Sequence, residues 1–220
     1  MMWTGVRERV LALRDAPRWR QVFGADRTGH GFELLPVLTP GQLAAVEARL
    51  GVTLPREYRA FLLEVGAGGA GPDYGLFPLR PPAPGAPPAD RQAARPFRPE
   101  LTALLDEHAR TEPQPADHTD DDAFVAAHAA WQAREDALYD ALVDGTLHLG
   151  DRGCAYDNLL VVTGPLSGTV WEDVRAVGEG VVPLRLDSTR GHLSFAGWYH
   201  HWLTAAERTA WTEETATSAQ

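Results

Sequence analysis

The chain contains no lysine; all twenty of its basic residues are arginine. With the abundance of alanine, this fits a GC-rich coding bias better than a functional choice, and arginine holds its positive charge at any relevant pH. Cysteine occurs once, at Cys154. That excludes a disulfide framework and a cysteine-rich zinc site, and it fits a reducing compartment. No stretch approaches the ~18 consecutive apolar residues of a membrane span, and charged residues stand where a signal peptide needs an apolar run. The expectation is a cytoplasmic protein with no membrane partner. Net positive charge is missing as well: the balance is -10 and the pI near 5.2. Affinity for nucleic acid requires local positive charge, so a nucleic-acid partner is not expected.

The 220 residues are 44% hydrophobic and 23% charged, an ordinary globular composition long enough to bury a core without staples. The negative charge is concentrated. Between Leu101 and Asp144 stand eleven acidic residues against Arg110 and Arg134, whereas the rest of the chain is nearly neutral.

Hydrophobic spacing predicts a short helix within 3–15, with Val6, Val10 and Leu13 on one side. Thr39-Pro40-Gly41-Gln42 reads as a capping box opening a second helix that Gly51 ends. A third opens at Leu54-Pro55 with Tyr58, Phe61, Leu62 and Val65 in a buried stripe. A glycine-rich loop, 66–72, precedes an expected edge strand at 74–79, and a proline-rich connector occupies 80–99. The longest helix is expected from Thr119 to about Val143, with Phe124, His128, Trp131, Glu135, Leu138 and Leu142 at heptad spacing. Afterwards the period turns to that of strands: 146–149, 159–163, 169–171 after a turn at 164–168, and an edge strand at 181–184. Ser194 caps a last helix with an aromatic stripe of Phe195, Trp198, Tyr199 and Trp202, read as core. Helices first and a meander afterwards predict an α+β fold, an antiparallel β-sheet packed with helices.

Three stretches carry a family pattern. They are Thr39 to Val65, including Leu54-Pro55-Arg56-Glu57-Tyr58-Arg59-Ala60-Phe61-Leu62; Gly68 to Leu79; and Leu149 through Trp171 with Phe195 to Leu203. Their order and spacing over roughly 35–80 and 145–205 resemble the SUKH superfamily in its Smi/Knr branch, the cell-wall assembly regulator-like proteins. The resemblance implies a non-enzymatic α+β domain, expected here as a single domain over 1–205; the sequence departs from the compact family pattern through a proline-rich and acidic helical insertion at about 80–144, and 206–220 is expected to be a partly disordered C-terminal extension. It implies a protein partner. Bacterial members are immunity proteins that bind and neutralise polymorphic toxins, nucleases and deaminases among them, and fungal relatives are regulatory scaffolds.

The acidic segment admits two readings. Asp117, Asp120, Asp121 and Asp122 can steer a basic partner and mimic a phosphate backbone. They can equally be helix-start anions favoured by the macrodipole. Asp73 and Tyr74 after the glycine loop read either as rim contacts for a partner or as a turn residue and a core aromatic, whereas Glu172 and Asp173 at a strand end, with Asp151 and Arg152 in a turn, are expected either to line a groove on the sheet that a partner contacts or to be ordinary surface polar residues. The glycine loop follows a helix instead of leading from a strand into one, and it lacks the Walker and dinucleotide patterns. A metal-dependent hydrolase is the least favoured reading: His200 and His201 point about 100° apart on a helix, and neither HExxH nor a nucleophile elbow is present. No catalytic residue, metal ligand or cofactor is assigned. Cys154, in a glycine-flanked turn, reads as a small packing residue.

Overall fold

A computed structural model describes residues 2–26, 29–83, 85, 91–186 and 191–212. The tail beyond Thr212 and residues 84 and 86–90 of the proline-rich stretch lie outside the described residues. The helices are α1 (Val6–Ala12), α2 (Pro40–Leu50), α3 (Arg56–Glu64), α4 (Leu101–Ala109), α5 (Asp121–Ala141) and α6 (Phe195–Trp211). The strands β1 (Thr146–Gly153), β2 (Tyr156–Val161), β3 (Val170–Asp173) and β4 (Val181–Pro183) form one antiparallel sheet in chain order. The fold is α+β, as the element order predicts.

Local chemistry sets the helix ends. Thr39 accepts from Gln42 N–H at 3.2 Å while the Gln42 side chain accepts from Thr39 N–H at 2.9 Å, closing the capping box, and Gly51 takes the left-handed C-cap. Ser194 accepts from Gly197 N–H, and Glu57 of α3 accepts from Ala196 N–H at 2.9 Å, so two orphan donors at the start of α6 are met.

Strand alternation then divides the sheet into two faces. Leu160, Val162 and Val170 face a core shared with α1, α2, α3 and α6. Phe61, Phe195 and Tyr199 are fully buried there, edge-to-face against Trp3, and burial of each such ring is worth about 1.5–3 kcal/mol. The Tyr199 hydroxyl donates to Ala70 O at 2.8 Å. Leu159, Val161, Trp171 and Val181 face the opposite way, against Leu101 and Leu105 of α4 and Leu138 and Leu142 of α5.

Both edges of the sheet are occupied. Along β1, Phe77 N–H donates to Leu149 O and Tyr74 N–H to Asp151 O. The strand expected at 74–79 is therefore an irregular extended segment tied to β1 by single bonds, with only isolated bridging at Leu76. Gly150 of β1 is what lets it approach, since a Cβ there would lie 2.2 Å from Gly75 O. Along β4, the Thr102 hydroxyl of α4 takes both outward groups of Val181, accepting from its N–H and donating to its C=O, and Pro183 has no N–H to offer.

Residues 151 and 152 belong to β1, which continues to Gly153, and are not in a turn. Gly153 pairs with Tyr156, so the β1–β2 hairpin has a two-residue loop. Cys154 and Ala155 both have positive φ, 56° and 63°. Cys154 is exposed, so the packing role expected for it is not what the fold gives it.

Candidate functional site

The acidic segment forms one unit. Helices α4 and α5 run antiparallel, because Leu101 at the start of α4 meets Leu138 and Ala141 near the end of α5, and His108 at the other end meets Trp131. His108 donates from Nε2 to Trp131 O at 2.9 Å, and Trp131 Nε1–H donates to His108 O at 3.1 Å. This reciprocal pair clamps the hairpin. The heptad stripe docks as its spacing predicts, but burial falls along it, from Leu142 and Leu138 inside to Trp131, His128 and Phe124 half-exposed. At 1.5 Å per residue, the 21-residue α5 places its N-terminus about 30 Å from the end that joins the sheet.

That distal tip carries Asp117, Asp120, Asp121 and Asp122, all exposed. Asp120 is also the N-cap, accepting from Ala123 N–H at 2.8 Å, so one of the four holds the helix start while the others face solvent. Asp106 and Glu107 of α4 and Asp136 and Asp140 of α5 are exposed as well. Asp144 is the exception, buried and paired with Arg95 at 3.3 Å.

A second charged cluster lies on the α6 side of the sheet. Arg152 on β1 sits between two carboxylates, ion-paired to Glu172 of β3 and 3.5 Å from Asp73. Beneath them Asn158 of β2, 1% exposed, donates from Nδ2 to Asp73 at 2.7 Å, while its Oδ1 has no partner among the described residues. Asp73 adopts φ 55°, a left-handed conformation that Asp tolerates better than most residues. Tyr74, 44% exposed, leans on Phe23, 62% exposed, at 5.2 Å between centroids.

The groove expected from Asp151, Arg152, Glu172 and Asp173 therefore does not form, because the four divide between the two faces of the sheet. Asp73, Tyr74 and Glu172 gather beside Arg152. Asp151 and Asp173 pair with Asp157 across the sheet and so alternate to the α5 side. Asp151 is exposed and accepts from Gly153 N–H. Asp173 is 6% exposed and engaged by Arg175 in a fork at 2.7–3.1 Å, and Arg175 Nη1 donates on to Tyr139 O of α5. Those hydrogen bonds to Asp173 raise the Arg175 pKa above its ordinary value. Asp173 thus fastens the sheet to α5 and has no free oxygen face for a partner.

The glycine-rich loop is a close-approach device, as its sequence implies. Gly69 bridges Leu34 on one side and Leu76 on the other, and a Cβ on it would lie 2.2 Å from Glu33 O. His200 stacks on Trp3 and bonds to Met2 O, whereas His201 is exposed on the far side of the helix. Sequence reasoning missed His30. It is largely buried, its Nδ1 accepts from Phe32 N–H at 3.0 Å, and burial pushes its pKa down to about 4. Among the described residues no group of three or more His, Cys, Asp or Glu side chains could hold a metal ion, and no helix is long and apolar enough to cross a membrane.

The net negative charge of the chain thus lies mainly on the α4–α5 hairpin, on one face of the sheet. Residues 37–139 match the model of the SMI1 / KNR4 family (SUKH-1), so this part of the chain is similar to that family. The match takes in α2, α3, the glycine loop, the connector, α4 and nearly all of α5, and stops before β1. It contains the first two of the three stretches that carry the resemblance and runs through most of the segment that the sequence reading treats as an insertion. No curated protein matches the chain, and no solved structure does.

Proposed function

We propose that this protein is an immunity protein, acting in the cytoplasm, that neutralises a polymorphic toxin domain of nuclease or deaminase class by covering it, without transforming a substrate. The observation that carries the reading is the α4–α5 hairpin: four exposed carboxylates within six residues at the end of an arm about 30 Å long. A toxin that acts on nucleic acid presents a basic groove, and a projecting anionic tip both attracts that groove and fills it. Asp117, Asp120, Asp121 and Asp122 make the first contact, and Asp151 lies on the same side of the sheet. The SMI1 / KNR4 match supports a protein partner at family level.

The test is co-expression with a toxin domain of nuclease or deaminase class found encoded in its genomic neighbourhood, and restored growth is the expected result. Replacing the four tip aspartates by asparagine keeps the Asp120 cap, because Asn caps as well as Asp. The association rate then drops at least about tenfold at low salt, and the difference shrinks as salt rises. Unchanged association kinetics would remove the steering role, and failure to rescue growth would remove the toxin partner.

A further inference from the structure

A cleft of about 400 Å3 opens on the α6 side of the sheet, on the other face from the acidic hairpin. Its floor is Trp198, Trp202 and Ala205 of α6. Leu184, Arg185 and Leu186, which follow β4, make one wall, and Val22 with Phe23 make a second. The third wall is the Asp73–Arg152–Glu172 cluster. The volume sits at the lower end of the roughly 300–1,000 Å3 of small-molecule pockets, and the mixture of apolar surface with a few convergent polar groups is what such pockets show.

The charges identify the ligand's sign. Asp73 and Glu172 are both committed to Arg152, and Asp73 also accepts from Asn158. Neither carboxylate is available for an incoming cation without breaking a partly buried ion pair. Arg185 is different: it is exposed, and among the described residues it has no ion pair or hydrogen bond. The unspent charge in the cleft is therefore positive, a guanidinium whose fork geometry matches a carboxylate. The floor is two indoles, which favour a flat apolar body.

From this geometry we infer that the cleft is a binding site for a monocarboxylate carrying an aromatic or bulky apolar group, with the carboxylate on Arg185 and the apolar body on Trp198 and Trp202. The inference is independent of the toxin reading, because it uses none of the acidic hairpin. Two sources supply that chemistry: a free small acid, or the C-terminal residue of another chain.

The test uses N-acetyl-L-phenylalanine, its amide, and the peptide Gly-Gly-Phe with a free C-terminus, titrated into the full chain by calorimetry and followed by the indole N–H resonances of Trp198 and Trp202. N-acetyl-L-phenylalanine binds saturably and about tenfold more tightly than its amide. Arg185→Gln erases that difference. Ala205→Leu, an exposed helical substitution that leaves the fold intact by circular dichroism, fills the cleft and abolishes binding of both compounds. Tighter binding of Gly-Gly-Phe than of N-acetyl-L-phenylalanine assigns the site to a chain terminus; equal or weaker binding assigns it to a free acid. Equal affinity for acid and amide, binding that survives Ala205→Leu, or no saturable binding of any probe at about 10 mM would overturn the proposal.

Discussion

Asp73 and Asn158 stand 85 residues apart in the chain and 2.7 Å apart in the fold, the Asn158 amide donating to the Asp73 carboxylate beneath Arg152. The bond joins the segment after the glycine loop to the middle of the sheet, and it is the one partner the buried Asn158 side chain has among the described residues.

Asp73→Ala leaves that amide with no acceptor and forces a Cβ-bearing residue without a local hydrogen-bonding group to hold φ 55°. A loss of about 2–3 kcal/mol is expected in urea denaturation. Asp73→Asn tolerates the same φ and still offers an oxygen to Asn158, so its loss is smaller, about 1 kcal/mol. A double-mutant cycle with Asn158→Ala isolates the pair, and a coupling near zero would show that the contact contributes nothing.

His30 makes stability depend on pH in a defined direction. Its folded pKa is about 4 because burial disfavours the imidazolium, while the unfolded value is about 6.5. Between those values the unfolded chain binds more protons, so this contribution is complete above pH 6.5 and is lost as pH falls toward 4. The full effect is at most about 3 kcal/mol. His30→Gln flattens the dependence of Tm on pH across that window relative to the parent. Parallel profiles would show that the ring is not excluded from water.

The β1–β2 turn is held by two non-glycine residues in left-handed conformations, Cys154 and Ala155. A two-residue hairpin loop of this kind favours Asn-Gly because both positions need positive φ. Ala155→Gly is expected to stabilise the protein by about 1 kcal/mol, read as a raised urea midpoint with an unchanged m-value. A lowered midpoint would mean that the alanine methyl has packing worth more than the strain.

This same turn shows where the sequence stops being informative. The Thr39 capping box, the Gly51 terminus, the Ser194 cap and the aromatic stripe of α6 are legible because each depends on residues a few positions apart. Cys-Ala carries no turn signal, so the hairpin was hidden and Asp151 and Arg152 were placed in a loop instead of on a strand. Once the strand limits are uncertain by two residues, the face that each side chain takes is uncertain too. That is why Asp151 and Asp173 were grouped with Arg152 and Glu172, although alternation sends them to opposite sides. The expected strand at 74–79 is a similar case: its backbone is extended, but its partners come from both β1 and the glycine loop, a pattern set by tertiary contacts alone. Of the candidate site, the acidic cluster was readable as composition, whereas its position at the end of a long arm follows from the antiparallel packing of α4 on α5. The Arg152 cluster depends on three strands and a loop, and nothing local announces it.

The single hydroxyl of Thr102, set against Val181, has a consequence for how this molecule meets others. With that rung plugged, a proline two residues on and the opposite margin covered by 74–77, a visiting chain finds no free ladder to extend among the described strands. Any partner has to recognise shape and side chains. Substituting Thr102 would unlatch that margin and favour self-pairing between copies, which natural sheets guard against.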